Sequence, residues 1–114
     1  MSTRGTYQII ESGMPTVTIF VQYANYPEAA ADYFAAADYF NENQGIGMAE
    51  RFVNAVPCAE LTIDIDHEYN YDPEDPEYRY DIFDEKVMAF EKKGHFWVVF
   101  FDGTLVDFIE EYRE

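Results

Sequence analysis

Bases are scarce in this chain. Seven Lys and Arg stand against 23 Asp and Glu, a formal net charge of −16. Such a surface repels nucleic acid and anionic membranes, and so argues against both as direct partners. Cysteine is nearly missing as well. Cys58 is alone, so no intramolecular disulfide can form and the chain reads as intracellular. No apolar run approaches the ~18 residues that a membrane span needs. The opening "MSTRGTYQII" lacks the apolar stretch and small-residue cleavage site of a secretory leader. A soluble, cytoplasmic protein is the expectation.

Catalytic groups are equally thin. Two histidines, one cysteine and two serines leave few nucleophile and base pairs. Cys58 follows Pro57 with no charged neighbour in sequence to lower its pKa. His95 sits beside a turn signal, and His67 lies among acids that favour its charged form. Acids are abundant, but abundance is not a constellation. No catalytic residue and no cofactor are assigned, and the chain is read as a non-enzyme.

What is present is core-forming material. Of 114 residues, 48% are hydrophobic and 18% aromatic, enough for one domain spanning 1–114 and too much for wholesale disorder. "TYQIIES" (6–12) and "TVTIFVQYA" (16–24) are β-branched and aromatic, with "SGMP" between them, and predict a hairpin. Val17, Ile19 and Val21 share one face of its second strand. "NYPEAAADYFAAADYFNEN" predicts a helix. Asn25 and Glu28 have capping-box spacing, Pro27 suits the first turn, and Ala30, Tyr33, Phe34, Ala37 and Phe40 form its apolar stripe. "MAERFVNAV" (48–56) predicts a short helix burying Met48, Phe52 and Val56.

After Ala59 the period changes to two. Leu61, Ile63 and Ile65 alternate with Thr62, Asp64 and Asp66, the pattern of a half-buried strand. "PEDPE" (73–77) breaks it, and "YRYDIF" resumes it with Tyr78, Tyr80 and Ile82 on one face. "EKVMAFEKKGHFWVVFFDG" predicts a hairpin turning at Lys93-Gly94. Its "FWVVFF" is apolar on both faces and is expected in a central strand. Thr104 is the expected N-cap of a last helix, with Asp107 three residues on and Leu105, Phe108, Ile109 and Tyr112 buried. The expected fold is α+β, β-β-α-α-β-β-β-β-α. A mostly antiparallel sheet of five to six strands should carry three helices on one face.

The charge is concentrated. Residues 1–59 hold six acids and two bases, whereas 60–114 hold 17 acids and five bases. From Asp64 to Glu85 there are ten carboxylates and four tyrosines, and no Lys or Arg occurs from 64 to 78. Three readings compete. Asp64, Asp66 and Glu68 superficially match a calcium loop. Tyr69, however, stands where that loop needs glycine, and Asp75 where it needs a bidentate Glu. The 72–77 loop is the better place for a cation, and no metal ligands are assigned. A second reading is a solvated acidic face with half the tyrosines in the core. The third is an interaction surface. On a strand, Asp64, Asp66 and Glu68 stand about 6.6 Å apart, a row of negative charges that Asp72, Glu74, Asp75 and Glu77 extend. A protein that grips phosphates with Lys and Arg can be occupied by such a row, with Tyr69 and Tyr71 as anchors. The missing bases favour this reading. The alternative is a small acidic regulatory domain whose partner binds elsewhere, at the Lys86, Lys92 and Lys93 hairpin.

Two likenesses bear on these readings. "STRGTY" (2–7) with "YPEAAADYF" (26–34) resembles a group of small bacterial and prophage proteins, and the likeness extends to "FDGTLVDFIEEY". This sequence has Ala29 where that pattern usually shows glycine. The resemblance implies a bacterial or phage setting and no mechanism. In size, acidity and tyrosine content the chain is also similar to phage-encoded DNA-mimicking inhibitors of the anti-CRISPR and anti-restriction kind. That likeness implies a basic nucleic-acid-binding partner, a CRISPR effector or restriction enzyme, in the host cytoplasm.

Overall fold

The computed structural model describes residues 4–11, 13, 16–21, 24–39, 48–56, 59–61, 77–94 and 96–113. The elements run β1 (Gly5–Ile10), β2 (Val17–Val21), α1 (Pro27–Tyr39), α2 (Met48–Ala55), β3 (Ala59–Leu61), β4 (Tyr78–Phe83), β5 (Lys86–Lys93), β6 (Phe96–Thr104) and α3 (Leu105–Tyr112). The sheet order is β3-β2-β1-β4-β5-β6. This is the expected α+β order. All neighbours pair antiparallel except β1 and β4, which run parallel with Gly5 opposite Tyr78 and Ile9 opposite Ile82.

Alternation places the core. Tyr7 and Ile9 of β1, Ile19 and Val21 of β2, Tyr80 and Ile82 of β4, and Val87 and Ala89 of β5 are all buried. They form one cluster with Ala30, Ala31, Phe34 and Ala37 of α1, Phe52 of α2, Val56 just beyond it, and Phe108 of α3. The three helices therefore cover one face. Each large apolar side chain buried there contributes about 1.5–3 kcal/mol. Phe40 and the side chain of Met48 lie outside the described residues.

The polar centre of this core is Asn25, itself fully buried. Its side-chain carbonyl accepts from the Tyr7 hydroxyl at 2.7 Å, and its amide donates to the Val21 carbonyl at 2.7 Å. The Tyr80 hydroxyl donates to the Asn25 backbone carbonyl at 2.6 Å. The expected capping box is thereby corrected. The first helical bond runs from the Ala30 amide to the Tyr26 carbonyl, so the cap position is Tyr26, with Pro27 in the first turn as expected. Ala24 adopts φ +58, a left-handed conformation uncommon for alanine, immediately before the inward-facing Asn25. Gly5 makes room for it: a Cβ there would lie 2.7 Å from Asn25 Cβ and Cγ.

The β5–β6 turn falls where expected, with Gly94 at φ +63. The β4–β5 turn at Asp84-Glu85 was not marked by any Gly or Pro, and Asp84 takes φ +53 there. Thr104 caps α3 as expected, its Oγ1 accepting from the Asp107 amide at 3.1 Å.

The expectation of a central "FWVVFF" strand is overturned, because β6 is an edge of the sheet. A β-bulge explains its two-sided hydrophobicity. Ala89 pairs with Phe101 and Phe90 with Val99, so Phe100 is the extra residue. Phe100 and Phe101 consequently both pack against the core. Three of the apolar residues before them are exposed: Phe96 is 74% exposed, Val98 45% and Val99 46%.

Candidate functional site: a carboxylate-rimmed tyrosine end

A ladder of rings leads from the core to one end of the sheet. Tyr7 stacks on Tyr80 with centroids 4.9 Å apart and planes 13° from parallel, and Tyr80 stacks on Tyr78 at 6.3 Å and 15°. The register explains this, since Tyr7 is the parallel partner of Tyr80 and Tyr78 is two residues before it on the same face of β4. Phe100 meets Tyr78, Tyr80 and Tyr112 edge-on at 6.2, 6.4 and 6.0 Å. The bulge puts Phe100 within reach of both strand and helix.

Carboxylates surround the outer rungs. The Tyr78 hydroxyl donates to Glu91 Oε2 at 3.3 Å. Burial, followed by the charges of Glu91, Glu77 and Glu28, raises the Tyr78 pKa above its ordinary value. Burial, then Glu111 and Glu28, does the same to Tyr112. Tyr80 is pushed far up, mainly by burial, with smaller contributions from Tyr78, Glu28, Tyr112 and Glu91. Glu28 bears on all three hydroxyls, so the first turn of α1 lies near the last turn of α3 and the start of β4. Cations among the described residues meet part of this charge. Arg113 reaches Asp32 at 3.3 Å, and Lys93 reaches Glu91 at 3.0 Å.

Of the acids and tyrosines expected to form the partner surface, Glu77 is described. Its side chain is exposed. Its amide donates to the Arg4 carbonyl at 2.9 Å, and its carbonyl accepts from the Lys92 amide at 3.0 Å. Asp64, Asp66, Glu68, Tyr69, Tyr71, Asp72, Glu74 and Asp75 lie outside the described residues, as do the proposed 72–77 cation loop short of Glu77, Cys58's surroundings, His67 and His95. The fold adds Glu28, Glu91, Glu111, Tyr78 and Tyr112 to Glu77. Sequence reading missed this grouping because its members come from four segments that only the folded sheet and helix ends bring together.

The alternative basic surface does not hold together as a cluster. Lys86 and Lys92 stand at opposite ends of β5, about 20 Å apart at strand rise, and Lys93 is paired with Glu91. On the helix-free face, Lys92 lies over the Trp97 ring at 5.7 Å and Arg79 over Phe90 at 4.8 Å. Arg79 also forks onto Asp81, at 3.2 and 3.0 Å. At the far end of β4, Glu11, Arg51, Phe83, Asp84, Glu85 and Lys86 line an open depression of about 580 Å³.

Among the described residues no three His, Cys, Asp or Glu side chains converge to hold a metal ion. No described helix is long and apolar enough to cross a membrane. The chain matches no known protein family, no curated protein and no solved structure.

Proposed function

We propose that the protein is a non-enzymatic acidic binding protein that occupies the phosphate-gripping surface of a basic nucleic-acid-binding protein. The observation that carries this reading is the tyrosine end of the sheet. Glu28, Glu77, Glu91 and Glu111 bear on Tyr78 and Tyr112 there, where the chain emerges from its most acidic stretch. Half-buried rings stiffened by neighbouring aromatics present contact area at little entropic cost, and the surrounding carboxylates stand in for phosphates. The resemblances in the sequence support a partner of the bacterial defence kind, a CRISPR effector or restriction enzyme, met in the cytoplasm of a host.

The test is capture from a bacterial lysate at two salt concentrations. The expected partner is a nucleic-acid-binding protein, held at low salt and released at high salt as the charges are screened. Replacing Asp72, Glu74 and Asp75 by Lys should abolish capture, and Glu28→Lys with Glu111→Lys should weaken it. Undiminished binding by both variants, with native circular dichroism, overturns the reading.

A further inference from the structure

We propose that the protein self-associates through β6, a second copy pairing its own β6 antiparallel across a two-fold axis and extending the sheet. The strand has nine residues, and no described strand pairs with its outer edge. An edge of that kind carries a row of backbone donors and acceptors, and the group that satisfies such a row is another strand. Natural edges of this length are blunted with lysine, proline or inward-pointing charge. Phe96 to Phe101 contain none of these. Blunting is confined to the later part of the strand, where the bulge at Phe100 and the exposed charge of Asp102 leave Phe96–Val99 as the regular, uncharged segment.

The side chains say which strand fits. By register, Phe96 and Val98 flank the edge on the helix side, opposite Lys93 and Glu91. Trp97 and Val99 flank it on the other side, opposite Lys92 and Phe90. An incoming strand must therefore offer apolar side chains on both faces and no charge. Another copy of Phe96–Val99 does so: a two-fold axis at Val98 sets Val98 against its own counterpart on the helix side and Trp97 against Val99 on the other, an isologous contact that closes at two copies. Two chains of net charge −16 repel almost everywhere else. The uncharged edge is where they can approach. The exposed Asp107, Glu110 and Glu111 of α3, which packs on β5 and β6, still oppose each other across it.

That residual repulsion distinguishes this contact from the proposed partner binding. Screening weakens attraction to a basic partner but relieves repulsion between copies. The full chain should therefore sediment as a dimer whose association tightens as salt is raised. Val98→Lys and Val99→Lys, both at exposed positions, should each yield a folded monomer whose melting temperature no longer rises with protein concentration, and Phe96→Ser should shift the equilibrium the same way. A wild type that is monomeric at both salt concentrations overturns the proposal. So does a dimer that survives all three substitutions, or one that dissociates as salt is raised.

Discussion

The centre and the edge of the sheet are built from similar material and put it to opposite use. Tyr7 and Tyr80, in the paired strands β1 and β4, are fully buried although each carries a hydroxyl. Phe96, Val98 and Val99, in β6, carry no polar atom in their side chains and are exposed. Hydrophobicity alone would have reversed the two. The hydroxyls do not keep the tyrosines outside because Asn25 gives each of them a partner, one at its side chain and one at its backbone. A buried polar group with its bond made costs little, and the ring still contributes its area.

The contrast is tested most strongly by truncation. Tyr80→Ala should cost about 3–5 kcal/mol, as for other large buried aromatics. Phe96→Ala should stay within about 0.5 kcal/mol for the monomer. Denaturant midpoints of the two variants decide, and comparable losses would mean that the edge is covered in the folded monomer. Next is the hub itself. Asn25→Ala removes the buried bonds to the Tyr7 hydroxyl and the Val21 carbonyl, and the expected loss is about 2–3 kcal/mol. A smaller loss from the double variant with Tyr7→Phe would show the coupling directly. The mildest test is pH. Tyr78, Tyr80 and Tyr112 all have raised pKa values, so the unfolded chain deprotonates first. Their contribution is complete below pH 10, the ordinary tyrosine value, and is lost as pH rises beyond it. For Tyr80 alone the slope is about 1.4 kcal/mol per pH unit. Thermal melts should fall above pH 10, and Tyr80→Phe should flatten that fall; a variant whose melting temperature keeps the full alkaline dependence would contradict the buried assignment.

Most of the element order is legible in the sequence because local patterns carry it. Strict alternation marks β2 and β4, the Thr104 and Asp107 spacing marks α3, and Gly94 marks the last hairpin. Three things depend on distant residues and escape such reading. The parallel pairing of β1 with β4 joins positions more than seventy residues apart in register. The bulge that sends both Phe100 and Phe101 inward makes an edge strand look doubly buried. Asn25 has the spacing of a cap but is drawn into the core by two tyrosines, one of them far along the chain. The tyrosine end escaped for the same reason, since Glu28, Glu77, Glu91 and Glu111 have no shared motif.

The parallel β1–β4 seam also divides the molecule in a way that bears on how it folds. On one side, β3-β2-β1 with α1 and α2 come from residues up to 61; on the other, β4-β5-β6 with α3 come from residues 77 onward. Each side is a run of antiparallel neighbours that can form early, whereas the seam must wait for two distant strands to meet. Both sides are net negative, so the docking step works against charge and should quicken as ionic strength rises. The stacked Tyr7 and Tyr80 lie on that seam, which makes their contact a late event and their burial a mark of the completed native state.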